Sequence, residues 1–157
     1  LLNVTDDVLL PAPEEKAGLA FRYDCLELFF DSRSVKRQGS VLSDGADQAI
    51  IIPRGSREPS ACDLWFARKE RAHIRIECVG RRTAGGWLLE GKIIPTKKSA
   101  FQVRAGSQFR MDFLVDDADR DEVKWLRKSA MALDGIFNNS QNSNVWGRYE
   151  LSLDTVK

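Results

Sequence analysis

The side chains able to do chemistry are few and widely spaced. The chain of 157 residues has one histidine, His73. It opens the alternating run His73–Val79 (HIRIECV) and shares a strand face with Arg75. Nucleophilic catalysis needs a nucleophile with a base held beside it, and no such pairing is visible. A strand histidine that faces water or takes a hydrogen bond is the simpler reading. Asp24, Glu27 and Asp31 border or lie in one strong strand signal and raise the carboxylate pair of a glycosidase. Asp24 and Glu27 are an odd number of positions apart, however, so along a strand they face opposite sides. Asp116, Asp117, Asp119 and Asp121 follow another strand. Clustered carboxylate oxygens at a turn can wrap calcium, although the glycine and distal glutamate of an EF-hand loop are missing. Arg120 lies within the cluster, and a plain solvated acidic turn is the competing reading. Gly85-Gly86 reads as a hairpin turn and not as a phosphate loop, because no strand-to-helix passage surrounds it.

Four tryptophans and three cysteines complete the inventory. A tryptophan on a β-sheet is usually core, but an exposed indole can stack on the apolar face of a sugar ring. Trp65 and Trp87 fall inside strand-like segments and read as packing. Trp125 and Trp146 border the acidic and amide-rich loops, where either could line a site. Cys25, Cys62 and Cys78 are an odd set, with no CxxC and no Cys/His cluster for zinc. Three inert, half-buried thiols is one reading; one disulfide with one free thiol is the other.

The elements that must position these groups are strands. Period-two alternation dominates and helical periodicity is nearly absent. Strands are expected over 24–31 (DCLELFFD), 48–52 (QAIII, closed by Pro53), 61–68, 73–79, 87–94, 108–115, 123–126 and 146–153, with Leu1 to Val4 also strand-like. Arg81–Gly86 joins two of them as a hairpin. Long polar loops are expected over 5–20, 32–47 and 127–145. About eight strands separated by turn signals predict an all-β, antiparallel β-sandwich or jelly roll, built as one domain over residues 1–157.

Composition narrows the partners. Lysine and arginine number 24 against 23 acids, for a net charge of +1, so nothing points to nucleic acid. No apolar run is long enough to cross a bilayer as a helix, so no membrane partner is expected. No signal peptide is visible, and the chain opens at Leu1 without a methionine. It is expected to be a piece of a longer protein.

Six segments, in order, resemble the carbohydrate-binding modules of family 9 within the DOMON-like sandwich group. They are LNVTDD (Leu2–Asp7), FRYDCLELFFDSR (Phe21–Arg33), GGWLLEGKIIP (Gly85–Pro95), GSQFRMDFLVDDAD (Gly106–Asp119), KW (Lys124-Trp125) and VWGRYEL (Val145–Leu151). The resemblance implies an immunoglobulin-like sandwich lacking the family's first strand or strands. It implies a non-catalytic accessory domain that binds plant polysaccharide chains for a secreted, glycan-active protein. Structural calcium on Asp116, Asp117 and Asp119 and an extracellular or periplasmic location would go with that. No haem is expected. The adjacent domain of the parent protein is a further expected partner. The binding residues it implies are Glu27 as hydroxyl acceptor, Phe21 as stacking face, Asn138 as amide, and Trp146 as a replacement ring, since no aromatic stands near Gln141. Three polar pocket positions of the family fall on Ile50, Ile52 and Leu114. Apolar groups there would desolvate sugar hydroxyls without compensation. The alternative is a sandwich that binds no small molecule and packs against a neighbouring domain.

Overall fold

A computed structural model describes residues 1–33, 46–119, 127–133 and 143–152. Among the described residues, ten strands form two antiparallel sheets. The smaller sheet has the order β1–β7–β6–β4, from β1 (Leu2–Thr5), β7 (Gly86–Pro95), β6 (Ile74–Thr83) and β4 (Ser60–Ala61). The larger has the order β10–β8–β2–β3–β5, from β10 (Gly147–Glu150), β8 (Gln108–Ala118), β2 (Cys25–Asp31), β3 (Ala46–Ile52) and β5 (Asp63–Phe66). The far half of β8 also pairs with β9 (Arg127–Ala132). The expected antiparallel sandwich is the observed fold.

Strand alternation builds the core. Leu26, Leu28 and Phe30 of β2 point inward, with Ile51 of β3 and Val115 of β8, onto Ile74, Ile76, Trp87 and Leu89 of the smaller sheet. The opposite set on β2, Cys25, Glu27, Phe29 and Asp31, is buried too. A second layer therefore covers the outer face of the larger sheet. Part of it is the segment after β1, where Pro13 precedes a 3₁₀ stretch over Glu14–Arg22. Ala12, Ala20, Phe21 and Tyr23 from this segment pack on Ile50 and Ile52. The β6–β7 hairpin turns over Ala84-Gly85 into Gly86, whose φ of 145° suits glycine. A Cβ there would stand 1.9 Å from the Val4 carbonyl oxygen, so glycine also lets β1 dock.

Three elements differ from expectation. The stretch from Arg127, read as loop, forms β9, whose sequence RKSAMA has no alternation and owes its order to the ladder with β8. The run read as one strand over 61–68 divides at Cys62: Ser60–Ala61 lies in the smaller sheet and Asp63–Phe66 in the larger. The loop expected over 5–20 contains most of the 3₁₀ stretch. The strand expected over 123–126 lies outside the described residues.

Candidate functional site

Strand register places Glu27 at the centre of the covered face. Its neighbour on β3 is Ile50 and its neighbour on β8 is Leu114. Trp65 stands opposite Ile50, and Ala132 opposite Leu114. One row across the sheet thus reads Trp65, Ile50, Glu27, Leu114, Ala132. Glu27 is 4% exposed and separates two apolar clusters. Ile50 belongs to one, with Phe21, Tyr23, Ile52 and Trp65. Leu114 belongs to the other, with Phe29, Ala46 and Trp146. A carboxylate set among such neighbours needs polar partners, because burying it unbonded is costly. Gln48, in the next row, donates from Nε2 to Glu27 Oε2 at 2.6 Å. Asp112 lies in that row as well, fully buried, and its Oδ1 accepts the Phe113 N–H at 2.9 Å.

The implied binding residues divide as follows. Phe21 and Glu27 come to the same face, with Phe21 half-buried in the cluster beside Ile50. The Arg22 guanidinium carbon lies 5.6 Å from the Phe21 ring centroid. Trp146 is on that face also, but it is only 2% exposed and packs on Phe29 at a centroid distance of 5.4 Å. Its ring backs the face and does not project from it. Arg110 fixes this arrangement by donating to the carbonyls of Ser143, Asn144 and Trp146 at 3.3, 2.8 and 3.2 Å. Beside it, Asp31 is held by Arg33 at 2.6 Å, and Arg33 reaches Ser143 Oγ at 3.4 Å. Asn138 lies outside the described residues. Ile50, Ile52 and Leu114 are all buried.

Two residues of this face carried no functional signal in the sequence. Gln48 looked like the start of an apolar strand. Trp65 read as packing, yet it is half-buried at the end of the Glu27 row. Only the β2–β3–β5 register reveals either one, and register is a property of strand pairing.

A second group of acids gathers at one end of the sandwich. Asp6, Asp24 and Asp117 can bring carboxylate oxygens within 4.8 Å of one another, as can Asp6, Asp7 and Asp119. Alternation explains the membership. Asp117 turns toward the end of β1, while Asp116 turns to the outer face of β8, where Cys25 Sγ donates to it at 3.4 Å. So Asp117 and Asp119 fall within these groups, Asp116 outside them, and Asp6, Asp7 and Asp24 are added. Asp24 accepts backbone N–H groups from Leu10 and from Ala118, the latter at 2.6 Å. Burial pushes the Asp24 carboxyl up to about 7; those two N–H groups oppose the rise, and Asp6 and Asp117 add to it. Burial raises Asp6 as well, with Asp117 and Asp7 contributing. Like charges this close favour a bound cation, and an all-oxygen donor set fits a hard one such as calcium.

His73 sits just ahead of β6. Its backbone N–H donates to Asp47 at 2.9 Å, and its Nδ1 lies 3.3 Å from Asp47 Oδ1. It is a hydrogen-bonded histidine.

No sequence family and no curated protein matches the chain. Its fold does match solved structures. One is a carbohydrate-binding module of family 9 from Caldicellulosiruptor kristjanssonii in complex with cellotriose, with a TM-score of 0.70 and 15% identity over 97% of this chain and 67% of the other. Another is a family 9 module from the same organism in complex with glucose, also with a TM-score of 0.70 and 15% identity, covering 98% of this chain and 69% of the other. The β-sandwich described above is therefore the fold of the family 9 carbohydrate-binding modules.

Proposed function

We propose that this domain is a non-catalytic carbohydrate-binding module whose glycan lies against the outer face of the larger sheet. Glu27 accepts sugar hydroxyls, and Gln48 both orients it and offers a second polar contact. Phe21 and Trp65 present apolar ring surface, and Asn138 supplies the amide. Trp146 acts from behind, through Phe29. Calcium on the Asp6, Asp7, Asp24, Asp117 and Asp119 carboxylates fixes the turns at the end of the sandwich in a structural role. On this reading the domain is an accessory part of a larger, exported glycan-active protein, and it works outside the cell or in the periplasm.

The observation that carries the reading is the row Trp65, Ile50, Glu27, Leu114 on a sandwich whose structural neighbours are family 9 modules in complex with cellotriose and glucose. A carboxylate oriented by an amide, with the partly exposed rings of Phe21 and Trp65 gathered on its Ile50 side, offers what sugar recognition needs: hydroxyls need directed acceptors, and ring faces need flat apolar surface. The test is calorimetric titration with glucose, cello-oligosaccharides and xylo-oligosaccharides. Binding to at least one is expected. Heats indistinguishable from dilution for all of them contradict it.

One observation favours a second reading. Ile50, Ile52 and Leu114 are buried as core, so that part of the face presents no polar edge to a sugar. A sandwich that binds no small molecule and packs against a neighbouring domain would use its face in this way. The same titration separates the two.

A further inference from the structure

Two thiols lie side by side where the chain passes from one sheet to the other. The β4–β6 register pairs Ser60 with Gly80 and Ala61 with Val79, which brings Cys62 opposite Cys78. The Cys62 N–H donates to the Cys78 carbonyl at 3.1 Å. Residues opposed in an antiparallel pair have Cα atoms about 4.5–5.5 Å apart, inside the range that disulfides span. The two Sγ atoms are 3.4 Å apart, with one thiol hydrogen-bonded to the other. A covalent S–S bond is about 2.05 Å long, so closure needs only a small side-chain rotation.

The surroundings keep this motion open. A Cβ at Gly80 would lie 3.0 Å from Cys62 Sγ, and one at Gly91 would lie 3.6 Å from Cys78 Sγ. Glycine at both positions leaves room around the sulfurs. Cys78 is half-buried and lines an apolar cleft of about 460 Å³ between the sheets, with Leu89, Ile93 and Met131. A small reagent can reach it there. The Cys78 thiol donates to Cys62 Sγ, and once Cys78 has lost its proton Cys62 can donate in return, which holds the Cys78 pKa below the ordinary value against the opposing effect of burial. The same contact pushes Cys62 up.

We propose that Cys62 and Cys78 form a reversible disulfide that staples the crossover between the two sheets. The oxidant is a small-molecule disulfide of the glutathione class. The Cys78 thiolate attacks one of its sulfurs and expels the first thiolate, leaving a mixed disulfide on Cys78. The Cys62 sulfur then attacks Cys78 Sγ and expels the second. One S–S bond is broken and one formed, two electrons pass to the oxidant, and the two cysteine protons end on the two released thiols. Cys25 takes no part: it is fully buried on the outer face of β2 and bonded to Asp116. The bond would fix the passage from β4 to β5, the strand that carries Trp65.

The test is to equilibrate the folded wild-type chain with oxidised glutathione, denature it under alkylation, count free thiols and map the cross-linked peptides by mass. Free thiols should fall from three to one, with Cys62 joined to Cys78. The thermal midpoint should rise by about 5–10 °C, and a reductant should reverse the change. Cys25→Ser should still lose two thiols, and Cys78→Ser should keep both of its own. Three thiols surviving in the wild type, a bond that includes Cys25, or a cross-link between two chains through Cys78 overturns the proposal. The mass map needs no variant, so it decides even where a substitution impairs folding.

Discussion

The two sheets turn very different outer faces to their surroundings. The smaller sheet shows Arg75, Glu77 and Val79 of β6 and Glu90 and Lys92 of β7, all exposed. Its ion pairs are surface contacts, Arg75 to Glu77 at 2.9 Å and Lys92 to Glu77 at 3.6 Å. The larger sheet covers Glu27, Asp31, Asp112 and Asp116 on its outer side, beside Phe29, Ile50 and Trp146. Acids on the first face are solvated and cost nothing. Acids on the second must be bonded, as Glu27 is by Gln48 and Asp31 by Arg33, because burying a carboxylate unpartnered is expensive. A face that retains such groups is built for something other than solubility, and that contrast locates the candidate site.

The contrast can be broken at its strongest point. Phe29 is fully buried on the outer side of the larger sheet. Replacing it with alanine should cost about 3–5 kcal/mol in denaturant unfolding, as for a core aromatic. A cost below about 1 kcal/mol would mean that this side is ordinary surface.

The acidic end of the sandwich gives the next effect. Asp24 has a folded pKa of about 7, against about 3.9 for an unfolded aspartate. Between those values the folded state holds a proton that the unfolded state lacks. In metal-free protein, the stability Asp24 contributes is thus present below about pH 4 and lost as pH rises through 7, with a slope of at most about 1.4 kcal/mol per pH unit. Calcium, by favouring the carboxylate, should flatten this slope and raise the melting temperature, and a chelator should restore it. Thermal scans across pH, with and without calcium, measure both. A melting temperature indifferent to calcium contradicts the metal reading.

Trp65→Ala should weaken glycan binding about tenfold, as loss of an aromatic contact does, and calorimetry reads the change. The smallest effect belongs to the smaller sheet. Glu77→Ala should change stability by no more than about 1 kcal/mol and leave binding unaltered.

Much of the architecture was legible before the structure. Alternation in HIRIECV and QFRMDFLV reports strands, and apart from His73 both runs lie in β6 and β8; β6 has one face wet as alternation suggests, whereas the outer side of β8 is buried at Asp112 and Leu114. The run CLELFFD was equally clear as a strand, but its burial on both sides was not: the covering 3₁₀ segment, although it directly precedes β2, reads as a polar loop, and the other covering residue, Trp146, is remote in sequence. β9 was illegible because its order comes from pairing with β8, and RKSAMA has no period of its own. Of the candidate site, Glu27, Phe21 and Trp146 were reached through the family resemblance, and all three lie on this face. Gln48, Ile50, Trp65 and Leu114 become neighbours of Glu27 through strand register, which no local pattern encodes. The acidic groups were half legible for the same reason: Asp117 and Asp119 share a run, while Asp6, Asp7 and Asp24 reach them from distant loops.

On the proposed reading, the larger sheet's outer face binds a glycan through Glu27. The most direct test is calorimetric titration of wild type and Glu27→Gln with cello-oligosaccharides, with circular dichroism to confirm that both are folded. Wild type should bind, and the variant should bind about 10–100-fold more weakly, the worth of one hydrogen bond to a charged acceptor. Equal affinities for the two proteins, or no binding by the wild type, would contradict it.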